Sequence, residues 1–178
     1  MKKIIILITL VFSIFIFSQE FKLTEDNFKV SDDTSKNYIV LSFPGVNKQT
    51  LFDKTKNYIT SNYPYLDKEK LKETVNDQLL FEVVSQTSRT VFINKRGSNV
   101  WSVVNYFEIN FKDDKIMIKP TFVNLTNADK TSTTLLGSFF NSRGIVRLEN
   151  AANFVEAFTN SFVNNIKNEV SSNKTNDW

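Results

Sequence analysis

The alternation of apolar residues between Trp101 and Phe122 constrains this chain more than any other feature. Trp101, Val103, Phe107, Ile109 and Phe111 recur at every second position or its multiples, and Ile116, Ile118 and Phe122 do the same after a short break. A strand sends successive side chains to opposite faces, so each stretch reads as an extended strand with one buried face. If Asp113-Asp114 is a two-residue hairpin loop, Lys112 opposes Lys115, Phe111 opposes Ile116 and Ile109 opposes Ile118. Both apolar sets then fall on the same side of a sheet, and a slip of one residue turns one set to water. Asp-Asp is a poorer turn than Asp-Gly, because the second position usually wants a positive φ.

The rest of the chain supplies further strands and two helices. Phe21 and Leu23, then Phe28 and Val30, alternate with polar residues around a Glu25-Asp26-Asn27 turn and predict two short strands. Residues 31–36 read as a polar, acidic loop. Residues 37–43 form an almost continuous apolar run, which suggests a strand buried on most of both faces, and Pro44-Gly45 stops it. Asn47 is placed to cap a helix running from about Lys48 to Asn62, with Leu51, Phe52, Thr55, Tyr58 and Ile59 at helical spacing and Pro64 beyond its end. Residues 65–78 are charged and ambiguous, with partial helix as one reading. Leu79, Phe81 and Val83 share one face of a further strand. Gly97-Ser98-Asn99 reads as a turn, and residues 124–144 as a long connection with some packing of its own. Asn150 is the expected cap of a final helix striped with Phe154, Val155, Phe158, Phe162, Ile166 and Val170. Strands, helix, strands, helix: the order predicts an α+β fold, a curved antiparallel sheet with two main helices packed on one face.

The N-terminus speaks to location. Lys2 and Lys3 precede an uninterrupted apolar run over residues 4–17, and Ser18 supplies a small residue before Gln19-Glu20. The run is about fourteen residues, short of the roughly 17–25 that span a bilayer as a helix. That layout is a secretory signal peptide. The expected organisation is therefore a signal peptide over 1–18, a single α+β domain over 19–170 and a polar tail over 171–178. With the leader and its two lysines removed, 20 basic residues face 19 acidic ones. A nucleic-acid or polybasic membrane binder carries a concentrated positive patch, so this near balance argues against nucleic acid as a partner. No Cys is present, which excludes a lipid-modified N-terminal cysteine and leaves an exported domain to hold itself together by packing. The expected product is soluble, periplasmic or secreted, with no transmembrane segment.

The chain also contains no His. Without His and Cys, a Ser–His–Asp triad, a Cys–His dyad and the commonest zinc ligands cannot be built. Weaker constellations remain. Glu25, Asp26, Asp32 and Asp33 supply oxygens of the kind calcium takes, but without the spacing or kinked glycine of a ligand loop. Glu108, Asp113 and Asp114 sit near one hairpin tip and offer carboxylates of the glycosidase kind, although turn chemistry already accounts for the two Asp residues. Ser138 lacks the glycine pattern of a nucleophile elbow, and a Ser–Lys pair has no spacing behind it. Arg89, Lys95 and Arg96 form a small basic group that reads more readily as a solvated loop.

The stretch from Asn37 to Gly45, the hairpin from Phe107 to Ile116, the Ser-Gln-Glu-Phe that follows the leader and the Phe- and Asn-rich last helix together resemble a family of exported bacterial domains of unknown function. That resemblance implies a fold like that of the TATA-binding protein and carries no activity or catalytic residue with it; a fold of this kind does not imply DNA binding. The family pattern favours Asp-Gly in the hairpin, from which Asp113-Asp114 departs. These readings converge on a non-enzymatic exported domain with no catalytic, cofactor-binding or metal-binding residues and no cofactor. Its expected partner is an envelope protein or a hydrophobic small molecule; the alternative is a hydrolase using carboxylates or a Ser–Lys pair. In the ligand version Trp101, Phe107 and Phe122 line a cavity under the last helix. In the protein version the open face of the sheet docks the partner, with Tyr106 and neighbouring even-numbered residues exposed.

Overall fold

A computed structural model describes residues 19–63, 66, 71–85, 89–94 and 97–172. The predicted leader, Pro64, Lys95, Arg96 and the last six residues lie outside that set. The strands are β1 (Phe21–Thr24), β2 (Asn27–Val30), β3 (Ile39–Ser42), β4 (Lys72–Thr74), β5 (Gln78–Val84), β6 (Arg89–Asn94), β7 (Gly97–Lys112), β8 (Lys115–Asn127) and β9 (Thr133–Thr134). Helix α1 spans Lys48–Asn62 and α2 spans Glu149–Ser171, with a 3-10 turn at Leu136–Ser138 before α2. The central sheet runs β3-β8-β7-β5-β4, with β6 added to β7 and β9 to β8, and every pairing is antiparallel. β1 and β2 form a separate hairpin.

The long hairpin has the register its apolar alternation predicts: Lys112 pairs with Lys115, Phe111 with Ile116 and Ile109 with Ile118. Asp114 takes the left-handed conformation at φ 65, which the turn requires and Gly supplies more cheaply. The register shifts between Val104 and Asn105, whose partners are Asn124 and Phe122, so Val123 is the extra residue of a bulge. Pro120 opposes Phe107 just beyond the last β3 pair, Ile39 with Ile118, where its missing N–H leaves no β3 ladder bond broken.

Both helices cover the same face of this sheet. Phe52 of α1 meets Phe111 edge-on with ring centroids 5.3 Å apart, and Phe162 of α2 stacks on Phe107 at 4.1 Å. Phe107 and Phe111 stand four residues apart on one strand and therefore point the same way. Phe81 joins Phe107 and Phe162 in one aromatic cluster. Burying each such ring contributes about 1.5–3 kcal/mol relative to exposure. Within this apolar layer Asn105 is fully buried and donates to Thr159 Oγ1 at 2.8 Å, and Thr159 donates in turn to the Val155 carbonyl.

Helix α1 starts as predicted: Asn47 Oδ1 accepts from the Thr50 N–H at 2.8 Å. Four expectations are corrected. β3 is an edge strand, with Ile39 and Leu41 buried and Val40 44% exposed, so its unbroken apolar run lies against the core on one face only. The ambiguous 65–78 region contains β4, a strand whose residues are all exposed and which exists by pairing with β5. Gly97-Ser98-Asn99 is the start of β7, not a turn. Helix α2 begins at Glu149, with Leu148 in the cap position and Asn150 already inside the first turn. The loop before it is bound to the residue that ends the 3-10 turn: Arg147 N–H donates to the Phe139 carbonyl at 2.7 Å, and Phe139 is fully buried. That tertiary anchor sets the helix start in place of a side-chain cap, and Glu149 adds a favourable charge at the N-terminal end of the dipole.

Candidate functional site

The face of the sheet turned away from the helices carries a built polar surface. Cross-strand pairing sets it out in rows: Gln78, Asn110, Met117 and Val40; then Lys72, Leu80, Glu108 and Lys119; then Glu82, Tyr106 and Thr121. Glu108 Oε1 accepts from Asn110 Nδ2 at 3.1 Å and from Gln78 Nε2 at 3.4 Å, and its Oε2 lies 3.4 Å from Lys119 Nζ. Gln78 Nε2 also reaches Asn110 Oδ1 at 3.0 Å. Tyr106, Leu80 and Met117 are half-buried around this network, and Val40 and Val84 are exposed. The outward residues of β5 and β7 carry even numbers and those of β8 odd ones as far as the Val123 bulge, since the two-residue turn reverses the parity.

At the hairpin end of this face the two turn aspartates point elsewhere. Asp114 Oδ1 accepts from the Gly45 N–H at 2.7 Å, and Asp113 Oδ1 accepts from the Lys48 N–H at 2.8 Å. Lys48 is the first residue of α1, so Asp113 satisfies one of the donors that every helix start leaves unpaired, from outside the helix. Lys48 Nζ pairs with Asp77 of the β4–β5 turn at 2.6 Å, and Asn76 in that turn bonds Gln49. Three loops are thereby stitched to one helix end.

The β1–β2 hairpin is fastened with equal specificity. Asn27, at φ 78, accepts from the Phe122 N–H and donates to the Phe122 carbonyl, at 2.8 and 3.0 Å, beside the bulge. Asn160 of α2 does the same to Phe21, at 2.8 and 3.0 Å. Glu156 accepts from the Leu23 N–H and pairs with Lys22 at 2.8 Å; that hydrogen bond is the main reason the Lys22 ammonium is held above its usual pKa.

The other constellations named from sequence are placed as follows. Asp33 is held by Lys36 and Ser35, which draw its carboxyl down to about 2, and Glu25 lies against Gly144, where an added Cβ would meet its carboxylate at 2.9 Å. Asp129, lowered by Thr131, is likewise part of an exposed turn. Among the described residues no three carboxylates converge in a manner suited to a metal. Glu108 faces outward along the strand whereas Asp113 and Asp114 turn toward α1, so the hairpin does not bring the three together. Ser138 ends the 3-10 turn, exposed, and no described lysine bonds its hydroxyl. Arg89 opens β6, but its side chain, Lys95 and Arg96 lie outside the described residues. Trp101, Phe107 and Phe122 are all buried; Phe107 is filled against Phe162, and Phe122 meets Phe139 at 5.2 Å. Tyr63 packs between Tyr58 and Phe162, and burial, then the neighbouring Tyr58, pushes its phenol up. Two open grooves of about 460 and 450 Å³ flank α2, one beside Tyr58 and Asn165, the other beside Leu23 and Val146.

The row residues Gln78, Leu80, Asn110, Met117 and Lys119 do not stand out in the sequence. Their signal is the complement of the apolar alternation: whatever is not inward on β5, β7 and β8 is outward.

Neither family models nor curated proteins match this sequence. Crystal structures of bacterial proteins share its fold. A TBP-like protein from Parabacteroides distasonis aligns at a TM-score of 0.52 with 11% identity, covering 76% of this chain and 91% of that one. A DUF4468 family protein from Bacteroides ovatus aligns at 0.51 with 8% identity, covering 78% and 86%. At such identities the likeness establishes the fold: this is an α+β domain of the TBP-like type.

Proposed function

We propose that this chain is an exported, non-enzymatic domain that docks an envelope protein on the open face of its sheet. The observation that carries the reading is the contrast across one sheet. The inward face is filled by interlocked rings, whereas the outward face holds an ordered Gln78–Asn110–Glu108–Lys119 network beside half-buried Tyr106, Leu80 and Met117. An aromatic and apolar patch among fixed polar groups is the composition of a protein interface. The hydrophobic-ligand reading has less behind it, because two of the rings that would line a pocket are packed against others, Phe107 on Phe81 and Phe162 and Phe122 on Phe139. The hydrolase reading needs free carboxylates or an activated serine; Asp113 and Asp114 are occupied by backbone N–H groups and the chain has no His. Export rests on the Lys2-Lys3 start and the apolar run after it. Among the described residues no helix is long and apolar enough to cross a membrane.

A photo-crosslinking residue at position 106 or 117 of the full chain, expressed in its native host, tests the docking. One defined protein should be captured from both positions, and none from position 57 on the solvent side of α1. Equal capture from all three, or from none, would remove the proposal. Fractionation with mass analysis should find the chain outside the cytoplasm and without residues 1–18.

A further inference from the structure

The docked face carries three lysines that no described acid pairs with. Lys112 and Lys115 are a direct cross-strand pair, both exposed, and Lys72 stands exposed on the same face at the β4 edge. None of the three has an ion pair or hydrogen bond among the described residues. Like charges directly opposite on an antiparallel pair are destabilising. The neighbouring turn acids Asp113 and Asp114 each direct one carboxylate oxygen to the N–H groups of Lys48 and Gly45, and neither forms an ion pair with these lysines. Glu108 is already shared among Lys119, Asn110 and Gln78. Two lysines face to face and without an ion pair leave their ammonium groups open to carboxylates brought from outside. Between these lysines lie Leu80 and Met117, which suit apolar side chains.

We infer that the partner docked on this face is a protein with an acidic patch, seated so that its carboxylates meet Lys72, Lys112 and Lys115; this rests on the docking reading above. Magnitudes select a protein over other anions. Nucleic-acid binders neutralise on the order of 6–10 phosphates, and polybasic lipid-binding segments carry roughly 4–8 Lys or Arg together. Three lysines beside Glu108 and Glu82 fall below both. They match a protein interface, where charges at the rim set orientation and approach rate.

The test places the crosslinking residue at position 117 in the full chain and reverses the charges with K72E, K112E and K115E together. Capture of the partner should fall by about tenfold or more, and exchanging the partner's crosslink-proximal Asp and Glu for Lys should restore it. The amide spectrum of the triple variant should otherwise match the parent. Undiminished capture by the triple variant overturns the acidic-patch inference while leaving the docking itself standing; no capture even by the parent overturns the docking. Purified protein titrated with a double-stranded DNA 12-mer, or with vesicles containing phosphatidylglycerol, should give no lysine-dependent binding at physiological salt. Binding of either through these lysines would replace the protein partner.

Discussion

The two faces of one sheet are made by the same strands and obey opposite rules. Toward the helices, positions on β5, β7 and β8 carry rings and branched chains that fit one another, and the fully buried amide among them, Asn105, is tied to Thr159. Away from the helices the same strands carry Gln, Asn, Glu, Lys and Tyr, linked across strands but covered by nothing described. A packed face is specified by volume, and its residues are replaceable only at a cost. A face built of rim-type polar pairs contributes little to folding, so its order is available for another purpose.

The largest test of this contrast removes one ring. Phe162→Ala should lower unfolding free energy in urea by about 3–5 kcal/mol, whereas Tyr106→Ala on the opposite face should cost less than about 1 kcal/mol. Comparable losses would erase the distinction. Next in size, Asn160→Ala leaves both backbone groups of Phe21 without their partner and should cost about 1–3 kcal/mol. Amide exchange should quicken in β1 and β2 before it does in β5. At the hairpin tip, Asp113→Ala should cost about 1 kcal/mol, the usual size of a lost helix cap. Asp114→Gly should be close to neutral there, because relief at φ 65 offsets the lost bond to Gly45. The smallest effect is a titration. The Asp33 carboxyl is depressed to about 2, first by Lys36 and then by Ser35. Its contribution is present above the ordinary carboxylate range and fades as pH falls through about 2. Carbon-detected NMR should show that midpoint, moving upward in Lys36→Met.

Much of the inward face was readable in advance, and for a common reason. The β7–β8 register, the β5 face and the first helix from its Asn47 cap depend on neighbours within a few positions, where period and capping act directly. The failures have the opposite character. Lys72–Thr74 has no alternation to betray a strand, and its pairing to β5 alone makes it one. Asn150 looks like a cap, but the bond from Arg147 to Phe139 starts α2 earlier. The apolar run at β3 could not reveal that one of its faces looks outward, because that depends on β3 lying at the sheet's edge.

The candidate site divides along the same line. Its outward residues follow from alternation once the inward set is known, yet their arrangement in rows requires three strands to be aligned. Sequence by itself determined which side of β5, β7 and β8 is apolar, where α1 begins, and that neither His nor Cys is available for chemistry. Tertiary structure alone decided what the polar residues that act across the fold do. Asn160 reaches Phe21 across 139 positions and Asp113 reaches Lys48 across 65, and such bonds exist only once packing has brought their ends together. Hydrophobic burial is non-directional and survives small errors of placement, whereas a hydrogen bond between distant residues is set by geometry that no local pattern encodes.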